Sequence, residues 1–450
     1  MIKKSTLIVL AGAIVLGAAF YYLDWKRGEK KEGEIADTSK AVFSIPAAAD
    51  ISSITISHPA KPDQPTIQLV RRDGVWRIAQ PMDTDADQKV AERISTGLAG
   101  ARATEHEPGT PDRLKVFGLD PAVVVVEFQL KDGAKHTLKL GNQDFSGASV
   151  YALPDSAKEV ALLSNSILAN TDLNFVDFRD HAVLTVALPD VASINLKNSS
   201  GELAVSKDKS DWKFSKPAGQ LADEALITGL ISGVANARWT AVASENPDNL
   251  AKYGLAAPSI TYTATDSKGK TFTLLVGKKE NADYFARDTS RPMIFRIGED
   301  LHKKLSQNFE ELRDKRLAHF DPRDVMRFEF HNANGILTAN RKGDKGDEWT
   351  VEAPADLKGK SATAWKLFTP LTSARADDVL DHPSMEILAQ LAKPTVEADL
   401  SMKDGKKFTV LISKATGDFV YGRENDAPAV YKLKKQILDE LDFKPSDFAF

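Results

Sequence analysis

Along most of the chain apolar and polar residues alternate in short stretches, as in Thr271-Phe272-Thr273-Leu274, the two-residue period of a strand with one covered face. That rhythm gives way at intervals to spacings of three and four. Leu226, Leu230, Ile231 and Val234 are one instance, and they predict a helix with a single apolar stripe. A different pattern opens the chain. Residues 7–23 carry no charge, follow Lys3 and Lys4, and end in Phe20, Tyr21 and Tyr22 with Trp25 just beyond. This length suits a membrane-spanning helix with interfacial aromatics, and we read it as a retained signal anchor. Cleavage at Gly17-Ala18-Ala19 is the alternative. A short cytoplasmic start (1–6) and an exported remainder are expected, although Lys26, Arg27, Lys30 and Lys31 outnumber the two leading lysines. Residues 24–50 read as a stalk, charged in their first part.

Beyond the stalk the chain repeats itself. Trp76, Trp212 and Trp349 lie in similar strand-like contexts at intervals of 136 (212 − 76) and 137 (349 − 212) residues. The same register carries an arginine (Arg102, Arg238, Arg375), a proline (Pro121, Pro258, Pro394) and a hairpin glycine (Gly133, Gly269, Gly405). Phe117-Gly118-Leu119 and Tyr253-Gly254-Leu255 precede the proline in two copies, and Leu388-Ala389-Gln390-Leu391 replaces them in the third. Each copy predicts two strands and a Trp strand. A helix follows, starting near Asp87, Asp223 or Ser361, and then hairpins with turns at Asp132-Gly133, Lys268-Gly269 and Asp404-Gly405. A closing helix is expected, over 301–317 in copy two. The fold class is therefore α+β: three tandem related modules of antiparallel sheet with packed helices, at 51–186, 187–322 and 323–450, arranged as an elongated row.

Composition narrows the chemistry. Hydrophobic residues make up 42% and charged residues 27% of 450, which is ordinary globular composition. With 59 Lys+Arg against 63 Asp+Glu the net charge is −4, so no basic field exists to hold nucleic acid. There are no cysteines, which excludes disulfides, thiolate metal sites and a cysteine nucleophile. The eight histidines are scattered without a metal-ligand spacing, and Ser146-Gly147 is not the centre of a nucleophile elbow. Lys268-Gly269-Lys270-Thr271 has the end of a phosphate loop but joins two strands, so no nucleotide is expected there. Asp83-Thr84-Asp85-Ala86-Asp87 alternates carboxylates as a calcium loop would, yet Gln88 and Ile94 stand where glycine and glutamate are required, so it reads as an acidic helix start. No cofactor, metal or catalytic set is expected. Trp76, Trp212 and Trp349 read as core. Arg102, Arg238 and Arg375 read as satisfying helix-end carbonyls or pairing with a carboxylate of their own module. Arg287 and Arg423 are candidates for a binding face of copies two and three, or merely solvated.

The Trp strand, the Asp-led helix, Phe/Tyr-Gly-Leu-x-x-Pro, the Leu/Val-Gly after the hairpin and Leu-Arg-Asp-Lys-Arg at 312–316 together resemble the bacterial family known as domain of unknown function 4340. The likeness covers essentially the whole chain, with Phe178-Arg179-Asp180 a shorter form of the Arg-Asp motif. The resemblance implies an inner-membrane-anchored envelope protein, often encoded beside an ABC-2-type transporter and a gliding-motility-type auxiliary protein. It carries over no active-site residue. The leading expectation is a noncatalytic periplasmic scaffold or accessory subunit with protein partners, an ABC-transporter complex among them. The alternatives are a glycan- or lipid-binding module using aromatics such as Trp239, Trp365 and Tyr421, and an envelope enzyme without a familiar motif.

Overall fold

The computed structural model describes residues 39–155, 157–186, 188–209, 211–343 and 348–448. The expected cytoplasmic start, the anchor at 7–23 and the stalk up to residue 38 lie outside the described residues. Among the described residues no helix is long and apolar enough to cross a membrane.

The strand-forming stretches build three nine-stranded antiparallel sheets and one two-stranded ribbon. Numbering the nine strands of each large sheet in chain order, all three run 4-3-2-1-6-7-8-9-5 from edge to edge. The first strands, Ile51–Ser57, Val191–Asn198 and Val325–Asn332, lie at the centre beside the sixth, Val124–Leu130, Ile260–Asp266 and Val396–Met402. In the second sheet Ile194, Leu196, Tyr262, Ala264, Leu274 and Val276 all point into one core, the alternation expected of a half-covered sheet. The predicted hairpin turns are present. Gly133, Gly269 and Gly405 have φ of 93°, 83° and 82°, the region where a side chain is disfavoured.

Between the fourth and fifth strands of each sheet lies a helix: α1 (Gln88–Ala99), α2 (Glu224–Ala235) and α3 (Trp365–Ser373). Asp87 caps α1, its carboxylate accepting from the N–H groups of Lys89 and Val90, and Asp223 caps α2 by accepting from Leu226. Ser361 does not cap α3. It lies in the two-residue strand Ser361–Ala362, and α3 starts after Ala364 without a side-chain cap. The stripe of α2 is Ile227, Leu230, Ile231 and Val234; Leu226, about 100° round the helix from Ile227, is exposed. The closing helix is also shorter than expected. It ends at Leu305; Asn308 starts a new turn, Phe309–Leu312, through a reciprocal cap with Glu311, and residues 313–317 are extended.

By compactness the chain divides into two units, one ending at His181 and one from Ala182 to Phe450. The first unit holds the first sheet and its core. The second holds the other two sheets, each with its own core, and in it neighbouring modules share an interface. In both units the segment leading into a sheet packs into that sheet's core. Phe43 does so in the first unit, edge-on to Phe128 with ring centroids 5.1 Å apart; Val183 and Leu184 serve the second core, and Leu317, Ala318 and Phe320 the third. The stalk therefore ends sooner than expected. Lys40–Ala41 pairs with Arg102–Ala103, because Phe43 has an apolar site to fill immediately behind it.

Candidate functional site

In the second unit the chain passes from the second sheet to the third through residues 312–320, held by backbone on both sides. Asp223 N–H donates to the Leu312 carbonyl and Asp314 N–H to that of Leu221, each at 2.9 Å. On the far side Leu317 N–H donates to Ala374 (2.9 Å) and Ala376 N–H to Lys315 (2.8 Å). The first half recurs in the first unit, where Asp87 N–H donates to Phe178 and Asp180 N–H to Asp85. Each strand ahead of these helices is thus closed by the Arg-Asp run that ends its own module.

This ladder places a set of charges at the junction. Arg313 is 2% exposed. Its two terminal nitrogens bind both oxygens of Asp381 at 2.9 and 2.8 Å, and one also reaches Gln220 Oε1 at 3.1 Å. The guanidinium lies 4.9 Å from the Phe309 ring centre and also meets Glu310. This fork holds the Asp381 carboxyl below the usual range. Arg375 Nη1 donates to Asp223 Oδ2 at 2.6 Å, so the helix cap of the second module is also an ion-pair partner of the third. Asp314, 6% exposed, accepts from Arg316 Nε at 2.9 Å and lies 3.3 Å from His319 Nε2. The other ring nitrogen of His319 is 2.6 Å from Glu424 Oε2. Burial alone would lower the His319 pKa; the carboxylates of Asp314 and Glu424 outweigh burial and raise it to about 9. Burial alone would raise Asp314, but its contacts with His319 and Arg316 hold it far below the ordinary carboxylate value.

Two open clefts meet at His319, one of about 630 Å³ beside Trp212, Arg316 and Arg323, the other of about 710 Å³ beside Phe320, Lys403 and Asn425. Asp314, Arg316, His319 and Glu424 are thus paired with one another across the junction. The arrangement acts as an electrostatic lock between two modules.

The sequence candidates fall elsewhere. Trp76, Trp212 and Trp349 are buried, one in each core. Arg102 is exposed and donates to the Ser39 hydroxyl and carbonyl, both at 2.7 Å. Arg238 and Arg375 form bridges with Ala182 and Arg316, the segments leading into their modules. The repeated arginine therefore marks the strand that receives the incoming chain, and the carboxylate partner of Arg375 belongs to the preceding module, where one within its own module was expected. Arg287 and Arg423 are half-buried and each donates to the carbonyl four residues on, Arg291 and Ala427, bracing hairpins. Trp239 is buried, Tyr421 half-buried and Trp365 exposed. Arg313, Asp314 and Arg316 had a local signal, the Leu-Arg-Asp-Lys-Arg run. His319, Asp381 and Glu424 had none.

The model of the family described as "Domain of unknown function (DUF4340)" matches twice, over residues 76–224 and 212–394. The chain belongs to this family. Both matches begin at a repeat tryptophan, and the first runs through the cap Asp223 of the next copy, so the family unit overlaps from one module into the next. The second contains Arg313, His319, Arg375 and Asp381, whereas Glu424 lies beyond it. No curated protein matches the sequence.

Proposed function

We propose that the protein is a noncatalytic, membrane-anchored extracytoplasmic scaffold or accessory subunit, tethered by residues 7–23, whose modules present surfaces to a protein partner, an ABC-2-type transporter complex in the first instance. The observation that carries this reading is the use made of the junction charges. Arg313, Asp314, Arg316, His319, Arg375, Asp381 and Glu424 are paired with one another or with Asp223, Gln220 and Glu310 across two modules. Charges paired in this way across two modules hold the sheets in place, which supports a positioning role. Crosslinking in native membranes, followed by mild-detergent capture and identification, tests the proposal. Recovery of transporter subunits together with protease protection of residues 1–6 alone is the expected result. A C-terminus on the cytoplasmic side, or capture of no membrane complex, overturns it.

A further inference from the structure

The first residue of α3 is a tryptophan, and nothing in the module's packing calls for one. Gln88 and Glu224 hold the corresponding place in α1 and α2. Gln88 is used locally, bonding the backbone of Trp76 at 2.9 and 2.8 Å. Trp365 is 57% exposed, while the buried face of α3 is Leu367, Phe368 and Leu371. What gives the exposed ring a use is the cleft it lines.

Trp365 lines a cleft of about 440 Å³ with Lys366, Thr369, Pro370, Glu440 and Asp447, floored by Phe443. That volume lies at the lower end of the range for small-ligand sites, about 300–1,000 Å³. The polar groups are poised for a ligand. Among the described residues Thr369 and Glu440 have no side-chain hydrogen bond or ion pair within the protein, Lys366 has only its ammonium 6.0 Å from the centre of the Trp365 ring, and one Asp447 oxygen accepts from Lys444 N–H at 2.9 Å. Two carboxylates against one ammonium disfavour an anion. They do suit hydroxyl groups, because an ionised carboxylate accepts two short charge-assisted bonds. A flat ring beside such acceptors matches a pyranose, whose one face is C–H and whose rim is hydroxyl. A proline-rich peptide fits less well, since its grooves are lined by several aromatic ridges. Here the second ring, Phe443, is committed to a stack on Phe330 at 4.7 Å and a tilted contact with Phe448 at 4.0 Å.

We propose that this cleft is a saccharide-binding site for an uncharged sugar of one or two units, with Trp365 as the stacking platform and Glu440, Asp447 and Thr369 as hydroxyl partners. The site lies within the third module and is independent of the scaffold reading. The test uses the full chain in detergent with N,N′-diacetylchitobiose, cellobiose and maltose as probes, read by saturation-transfer NMR and by tryptophan fluorescence titration. At least one probe should bind, Trp365→Ala should weaken it about tenfold or more, and Glu440→Gln should weaken it several-fold, both with unchanged circular dichroism. Three outcomes overturn the proposal: silence from all three sugars at millimolar concentration, equal binding by Trp365→Ala, or Trp365-dependent binding of a decaproline peptide without sugar binding.

Discussion

Gly277 lies so close to the carbonyl of Tyr253 that an added Cβ would stand 2.1 Å from the oxygen, and Gly141 has the same relation to Phe117. The Phe/Tyr-Gly-Leu turn and the Leu/Val-Gly strand are therefore one contact read twice in the sequence. In the third module both halves are lost together, with Ser413 in place of the second glycine and its hydroxyl accepting from Tyr421 N–H at 3.0 Å. Gly277→Ala should cost about 3 kcal/mol, because the backbone must move apart, whereas Gly269→Ala, at φ +83° with open space around it, should cost only about 1–2 kcal/mol, as denaturant midpoints of the full chain would show. The buried fork gives a second comparison. Asp381→Ala removes the bidentate partner of Arg313, which keeps Glu310 and Gln220, and should cost about 1–2 kcal/mol. Asp208→Ala, which removes a fully solvated pair with Lys213, should leave the midpoint unchanged.

At the scale of elements, one residue serves two purposes. Asp223 caps α2 through Oδ1 and receives Arg375 through Oδ2. Asp223→Asn preserves the cap and loses the ion pair, whose arginine is 54% exposed, so it should cost under about 1 kcal/mol. Asp223→Ala loses both and should cost about 2 kcal/mol. A reversed order in urea unfolding would mean that the ion pair, and not the cap, governs this helix. The caps at Asp87 and Asp223 were legible because capping is local chemistry. The third was misplaced at Ser361, since the backbone there continues as strand to pair with Thr350, a choice made by a neighbouring strand and invisible in the local residues. For the same reason residues 313–317 escaped notice as extended: their apolar and charged spacing suits a helix, but bridges to Ala222 and Arg375 draw them straight.

For the second unit as a whole, the lock predicts a pH range. The pKa of His319 is raised from 6.5 to about 9, so its contribution is complete below about pH 6.5 and fades as pH climbs through 9, a loss of about 3 kcal/mol by linkage. Asp314 has the opposite sign: lowered in the folded state, it contributes above about pH 4 and loses that contribution in stronger acid. The groups facing His319 are Asp314, which is held low, Glu424, and Tyr431, whose phenol burial pushes up to about 12. The lock's contribution should be greatest between about pH 4 and 6.5, and His319→Gln should flatten the alkaline fall. Hydrogen exchange at residues 315–317 and 374–376 would locate that loss at the junction.

From the amino acids alone followed the threefold unit, its strands, two of its three helix caps and its hairpin turns, because hydrophobic period, capping and positive-φ glycine act over a few neighbours. The tertiary structure alone decided what the charges are for. Arg313 meets Asp381, Arg375 meets Asp223 and His319 meets Glu424 across gaps of 68, 152 and 105 residues. Such partners are chosen by how two sheets pack, and packing depends on the whole chain folded back on itself.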